Sequence, residues 1–503
     1  MIPAGVMASR TVLRSAGSRS VRAIRPAAGC AALVAAAVVG SRVVIDHPRM
    51  ALAAPAVLGA AIVCGRRPAA AVVGLLVLTA GFGTLAAYTP LPAARFADIL
   101  LAALWAALGW ALLVEERAAP ATLTPPVACL LAVGVVGAGQ VVAAPDVHRA
   151  AEAFRSTDWY LLSLPLIALV PWRRSSIDRL AAGIAAVALL VTAYATLRYL
   201  TGPTSAERAL ALQQPYNDNG GSLRLIGSMF SRHQLSAWIG TVLPFCVGLA
   251  AVATTRMRTG IATTFVLGVV AIAGTNSRAG ALGLALGLVV LVVLLHLSPS
   301  LDRFRLKASA MALVVTAIVG YAGVSVATSD GGGPAAHYTV ILTPGRDAAY
   351  QARQLKWREA IAAIRAHPAG LGLGSAGGVA ERTSRFDSVG AHRIDNSYLM
   401  LAYEQGVGVL LLFALGLVLL LGTLALAATR TSDPQLAALA AGGAASLAAF
   451  AAIMYTGDFL EGFNGLTAWI IGGVGAVAAS RAARSRPARR PAPARAPAHV
   501  ARG

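Results

Sequence analysis

Two arginines and one carboxylate are the residues of this chain whose placement could do chemistry. Arg278 lies in Gly274-Thr-Asn-Ser-Arg-Ala-Gly280, a short polar break between two apolar runs. An arginine near membrane depth costs about 2.5–3.5 kcal/mol on insertion scales, so it either snorkels or pairs. The helix-end amides and hydroxyls beside it would equally suit an anion such as phosphate. Arg353 lies in the longest polar interruption, residues 329–395, flanked by Tyr350 and Trp357. Asp395 ends that interruption and opens an apolar run. An acid there can cap a helix and favour its dipole, or can take a proton in catalysis. His392 is close enough in sequence to act as a base, or is simply solvated. Glu404 follows nine residues after Asp395, about 180° round a helix of about 3.6 residues per turn. The two acids therefore do not face one another as a carboxylate pair.

The interruption itself must position Arg353. It carries eight Lys and Arg residues. Residues 346–365 have helix-forming composition, and Tyr350, Trp357, Ile361 and Ile364 recur as one amphipathic stripe. Such a helix would lie on the membrane–water boundary with its aromatic side down and its guanidiniums at headgroup level. Arg346 and Arg353, seven apart, share a side; they either snorkel or grip an anionic headgroup. His367-Pro-Ala-Gly-Leu-Gly-Leu-Gly374 then ends the helix and permits a tight turn. It is not a phosphate-binding P-loop, because the Lys-Ser/Thr ending and a preceding strand are both missing.

Almost everything else reads as membrane. The chain is 57% hydrophobic and 13% charged, far from an average soluble domain. Apolar runs long enough to cross about 30 Å of hydrocarbon recur through it. An all-α polytopic membrane protein of about 12–14 transmembrane helices is expected. The candidate spans are 27–45, 51–64, 69–88, 98–114, 126–144, 158–171, 180–200, 233–253, 260–275, 279–297, 308–328, 397–427, 435–455 and 464–480. Two of them, 51–64 and 158–171, are short, and one or both could be re-entrant or merge with a neighbour. Abundant Ala and Gly suit close helix approach in lipid. Residues 1–26 read as a basic cytoplasmic segment followed by a first transmembrane helix rather than a cleaved signal peptide. Residues 27–480 read as one membrane domain containing the long loop 329–395. Residues 481–503, rich in Arg, Pro and Ala, read as a disordered cytoplasmic tail.

The net charge of +21 could indicate nucleic acid, but its distribution excludes that partner. The basic residues sit in short loops and at both ends, the topogenic pattern of an inner membrane protein. With both termini inside, Arg66, Arg67, Arg117, Arg173, Arg174, Arg179, Arg256, Arg258, Arg303, Arg305, Lys307 and Arg430 fall on the inner side. The loop 201–232, the turn 274–280 and the loop 329–395 then fall outside. Cys30, Cys64, Cys129 and Cys246 lie in or at the ends of apolar runs, with neither disulfide nor metal spacing. No Asp-x-Asp or His-cluster signature occurs in the outward loops, so a site without metal or other cofactor is expected.

These motifs, taken in order, resemble a known family. Asn276-Ser-Arg278-Ala-Gly280, Arg353-x-x-x-Trp357, His367-Pro-x-Gly-x-Gly and Asp395-Asn-Ser-Tyr-Leu-(x)6-Gly406-x-Gly408 are similar to the O-antigen ligase/O-antigen polymerase family, as is Arg224-Leu-Ile-Gly-Ser-Met-Phe upstream. The motifs cover about residues 224 to 425; before that the likeness is only topological. The resemblance implies a membrane glycosyltransferase that uses sugars on a polyprenyl diphosphate at the outer face of the plasma membrane. It implies that Arg278 and Arg353, which match the family's two functional arginines, hold the donor diphosphate. The family's ligases usually carry His where this chain has Asp395, which points away from a lipid A–core ligase.

The expected function is transfer or polymerisation of a polyprenyl-diphosphate-linked glycan onto a glycan, lipid or protein acceptor hydroxyl. Asp395, Arg278 and Arg353 are the expected catalytic residues, with Asp395 acting directly or through His392. Arg224, Arg346, Trp357, His392 and Asn396 are expected to bind substrate, and membrane lipids are partners. A transporter or flippase is the alternative. It would show related halves and polar residues at mid-depth, whereas here the polar residues gather at the outer ends.

Overall fold

The computed structural model describes residues 59, 63–89, 93–113, 123–213, 217–219, 222–304, 348–383 and 394–485 of the 503. The expected spans 27–45 and 308–328, most of 51–64, Arg346, His392 and residues 486–503 lie outside them. The helices run in order as α1 (Pro68–Ala80), α2 (Phe82–Tyr88), α3 (Ala93–Leu113), α4 (Pro125–Ala143), α5 (Val147–Ser156), α6 (Asp158–Leu161), α7 (Ser163–Leu169), α8 (Arg174–Thr201) and α9 (Ser205–Leu212). A minimal antiparallel pair follows, β1 (Asp218–Asn219) with β2 (Ser222–Leu223). Then come α10 (Arg232–Ala250), α11 (Thr255–Thr275), α12 (Arg278–Leu297), α13 (Ala348–Ala366), α14 (Gly377–Thr383), α15 (Ser397–Gln405), α16 (Val407–Arg430), α17 (Pro434–Tyr455) and α18 (Phe463–Arg484).

Apart from that pair the regular structure of the described residues is helical, and the protein is a multi-pass membrane protein. Among the described residues eight helices are long and apolar enough to cross a membrane: α4, α8, α10, α11, α12, α16, α17 and α18. The pair α1 and α2 makes a ninth if counted as one bent span. The expected single span 69–88 is broken there by 62°. The loop at Ser228 causes the break: its carbonyl accepts from the Gly83 and Thr84 amides, and its hydroxyl donates to the Ala80 carbonyl at 2.7 Å. The short run 158–171 becomes α6 and α7, buried along α18. It spans the bundle from Ser156, whose carbonyl accepts from Gly462 N, to Trp172, whose carbonyl accepts from Arg481. The last helix continues to Arg484, past the expected start of the tail at 481.

Small residues set the packing. α10, α17 and α18 are almost wholly buried, and a Cβ added to Gly248 would lie 2.8 Å from Gly442 Cα. Likewise a Cβ on Gly443 would lie 3.1 Å from Gly475 Cα. Such close backbone approach is the expected glue of helices in lipid, where apolar burial alone gives no preference for a neighbouring helix over a lipid tail.

Candidate functional site

One end of the bundle collects the residues singled out in the sequence. α12 runs antiparallel to α17: Gly287 meets Ala445 and Ala449, while Gly283 meets Ala449 and Ile453. Continuing in that register, Arg278 at the first turn of α12 stands level with the end of α17 at Tyr455. Asn276, in the left-handed region at φ 51°, ends α11 and lets α12 start two residues later. α10 is parallel to α12, and its first turn adds His233, whose Nδ1 is 3.4 Å from Ser277 Oγ. Arg232 donates from Nη1 to the Asn276 carbonyl at 2.9 Å. Two helix N-termini and their partial positive charges therefore point the same way beside Arg278.

Arg224 belongs to the same end. Its amide donates to the Asn217 carbonyl at 2.9 Å, and the Arg232 amide donates to Asn217 Oδ1 at 3.3 Å. Partial burial pulls the Arg224 guanidinium below its ordinary pKa.

On the other side of the Tyr455 corner lie α13 and α15. Asn396 caps α15: its Oδ1 accepts from Tyr398 N at 3.0 Å and Leu399 N at 3.1 Å, and its Nδ2 donates to the Tyr455 carbonyl at 3.2 Å. Ser397 Oγ donates to the Gly457 carbonyl at 2.8 Å and accepts from Leu460 N at 3.0 Å. The start of α15 is thus stitched to the corner between α17 and α18. Asp395, expected as a possible cap, is displaced from that task by Asn396. Its Oδ2 instead lies 3.4 Å from Arg353 Nε, with both side chains partly exposed. Asn396, expected to bind substrate, has both its oxygen and its amide engaged in structure.

The aromatic stripe of α13 faces the protein, not the lipid as expected. Trp357 meets Tyr455 edge-on at 5.4 Å and Tyr350 at 6.3 Å. Ala360, Ala376, Ile394, Met400 and Tyr403 form a small core with Trp357 and Ile364 packed on it. Ile361 leaves the stripe and is 37% exposed, and Leu355 is 58% exposed. The reason is the partner surface: α15 supplies an apolar face at the same level. The indole Nε1 of Trp357 is buried with no hydrogen-bond partner among the described residues.

The expected run 397–427 is two helices. Gly406 sits at φ 95° between α15 and α16, and Val407 N donates to the Pro368 carbonyl at 2.9 Å. The glycine turn after α13 inserts at this break. Gly370, Gly372 and Gly374 have φ of 90°, 96° and 78°, conformations glycine adopts without penalty. Glu404, weighed in the sequence only as a partner for Asp395, lies beneath this turn and accepts from Gly374 N at 3.0 Å and Ala376 N at 3.1 Å. An acid within an apolar run was the only signal of it.

The structure therefore brings Arg353, Asp395, Trp357 and Asn396 together. It sets Arg278 and Arg224 at the same end of the bundle, on the α10–α12 side of Tyr455. Among the described residues no three His, Cys, Asp or Glu side chains are grouped as metal ligands would be.

No curated protein matches the chain. Residues 263–414 do match a family described as O-Antigen ligase, a stretch that runs from within α11 to within α16 and contains Arg278, Arg353, Asp395 and the glycine turn. Over those residues the chain carries a domain of the O-antigen ligase family.

Proposed function

We propose that this protein transfers or polymerises a polyprenyl-diphosphate-linked glycan onto an acceptor hydroxyl at the outer face of the plasma membrane. The observation that carries this reading is the meeting of Arg353 with Asp395, inside the matched stretch and at the end of the bundle where α12 begins with Arg278. A cation that holds a diphosphate and a carboxylate that receives a proton are the two groups such a transfer needs. The charge rule supports the placement: the loops bearing these residues are the poorly basic or long ones, which face away from the cytoplasm.

The acceptor oxygen attacks the anomeric carbon, and the bond from that carbon to the diphosphate oxygen breaks with its electron pair on the leaving group. The acceptor proton passes to Asp395, directly or through His392. Arg278 and Arg353 hold the diphosphate; guanidinium forks bind phosphate oxygens bidentately and stabilise the departing charge. Asp395 occupies Arg353 when no donor is bound. A diphosphate would compete for that guanidinium and release the carboxylate toward the acceptor, so that donor binding readies the base. Trp357 and Arg224 line the donor's approach, and Asn396 fixes the backbone that carries Asp395. The acceptor is a glycan, a lipid or a protein.

The test is glycan transfer by the purified protein in lipid nanodiscs, from a polyprenyl-diphosphate oligosaccharide. Arg278→Ala and Arg353→Ala are expected to abolish transfer while the protein still inserts and elutes as the wild type does. Near-normal transfer by both variants would overturn the proposal.

A further inference from the structure

The geometry points to Glu404 as the positioning residue that sets the distance between Arg353 and Asp395, an inference that rests on the transfer function proposed above. α13 and α15 lie side by side and run the same way. Arg353 and Asp395 meet near their N-terminal ends. Their C-terminal ends are joined by a dense set of bonds through the glycine turn. Leu371 N donates to the Tyr403 carbonyl at 2.8 Å, and Gly372 N donates to the Glu404 carbonyl at 2.9 Å. Val407 N closes the set on the Pro368 carbonyl. The Glu404 side chain completes it, its Oε1 accepting from Gly374 N and Ala376 N.

Glu404 is only 4% exposed. A carboxylate is rarely left in such a place without a task, since burying it is costly unless it is hydrogen-bonded. Its bonds are to backbone amides, so it holds chain rather than another side chain. The contact allows no slack: a Cβ on Gly370 would lie 2.5 Å from the Glu404 carbonyl oxygen, and one on Gly406 would lie 2.7 Å from Ala369. Arg353 and Asp395 are themselves partly exposed, and an ion pair in such a setting is weakly stabilising. It does not fix its own geometry. Asn396 and Ser397 hold the Asp395 end on the α17–α18 corner, and the clamp at the far end sets where α13, and with it Arg353, lies against α15, because a helix transmits a displacement of one end to the other as a rigid rod.

The test reads the distance directly. Arg353→Cys and Asp395→Cys are introduced into a chain whose Cys30, Cys64, Cys129 and Cys246 are replaced by serine, and the pair is cross-linked in membranes with a short bis-methanethiosulfonate. Adding Glu404→Ala is expected to slow cross-linking about tenfold, a misplacement of the order that costs enzymes a hundredfold in rate. Adding Glu404→Gln, whose amide oxygen accepts the same two bonds, is expected to keep the parent rate. Should Glu404→Ala not accumulate in membranes, Glu404→Asp, too short to reach both amides, carries the same expectation. Cross-linking of the shortened variant at the parent rate, or of Glu404→Gln as slowly as the shortened one, overturns the inference. No glycan is needed, so the outcome is separate from the transfer assay. Where transfer is measured with Arg353 and Asp395 intact, Glu404→Ala is expected to lower kcat with little change in KM, and Glu404→Gln to restore it.

Discussion

The Asp395 carboxylate lies 3.4 Å from the Arg353 guanidinium because the following residue, Asn396, caps α15 in its place. One residue of offset separates a structural task from a chemical one. Capping needs an oxygen aimed along the helix axis at the first free amides; Asp395, one step earlier, is turned away from the axis toward α13. The side chain that local rules would assign to the helix is thereby available to the site.

The pair itself should matter little for stability. Both side chains are about one-quarter to one-third exposed, and pairs of that kind contribute about 0–1 kcal/mol after solvent screening. Arg353→Ala and Asp395→Ala are each expected to leave the unfolding temperature in detergent within a few degrees of wild type while transfer is lost. The double variant Arg353→Asp with Asp395→Arg would restore the pair and the stability but not transfer, because the diphosphate needs its cation on α13. Thermal unfolding followed by tryptophan fluorescence, beside the transfer assay, checks both. A swapped protein that transfers normally would reduce the pair to a structural contact.

Asn396 should behave in the opposite way. Asn396→Ala removes both cap bonds and the bond to Tyr455, a loss of about 1–2 kcal/mol by the usual scale of caps. Asn396→Ser, which can still cap, is expected to recover most of it. A drop in unfolding temperature for the alanine variant but not for Asp395→Ala would confirm which residue holds the helix. Equal drops would count against the assignment.

Local signals in the sequence were sufficient for some of this and not for the rest. The end of α13 was legible from His367-Pro368 and the glycines, and the start of α12 from the polar break at Asn276, because each depends on what one or two residues can adopt. The facing of Trp357 was not. Lipid tails and a helix face are about equally apolar, so a stripe at helical spacing does not say which of the two it meets. The break at Gly406 was hidden for a related reason: Glu404, Gln405 and Gly406 interrupt the apolar run too briefly to mark an end, and only the insertion of Pro368 and Ala369 shows why the helix stops. Glu404 could be counted as an acid in a hydrophobic run, but its partners lie about thirty residues away in sequence, at Gly374 and Ala376, which no local rule reaches.

A pH effect is expected at α9. Burial alone would raise the Glu207 pKa, but bonds from Tyr194 and Thr204 and the Arg198 charge outweigh it and hold it below its ordinary value. A carboxyl whose folded value is depressed contributes stability above its unfolded value, and that contribution is lost as pH falls through the folded one. The loop after α9 leans on that helix, since Asn217 Nδ2 donates to the Ala211 carbonyl at 3.1 Å. Lowering pH from about 6 to 3 should therefore destabilise the wild type more than Glu207→Gln, which is already without the charge. Parallel pH curves of unfolding temperature for the two proteins would rule this out.

Gly280 is where packing and site meet. A Cβ there would lie 2.1 Å from Ser236 Oγ and 2.2 Å from the Ser236 carbonyl oxygen, so Gly280→Ala must push α12 off α10. Overpacking of this kind typically costs about 1–3 kcal/mol. The movement has a second consequence, because Arg278 lies two residues away on the displaced turn. A shift of about 1 Å in a positioned group can reduce rate a hundredfold, so transfer should fall by much more than the loss of folded protein explains. Ser236→Gly in the same chain removes the hydroxyl but not the carbonyl, and is expected to recover part of the stability and part of the rate. If Gly280→Ala lowered stability while the folded fraction kept full activity, Arg278 could not be holding the donor from this turn.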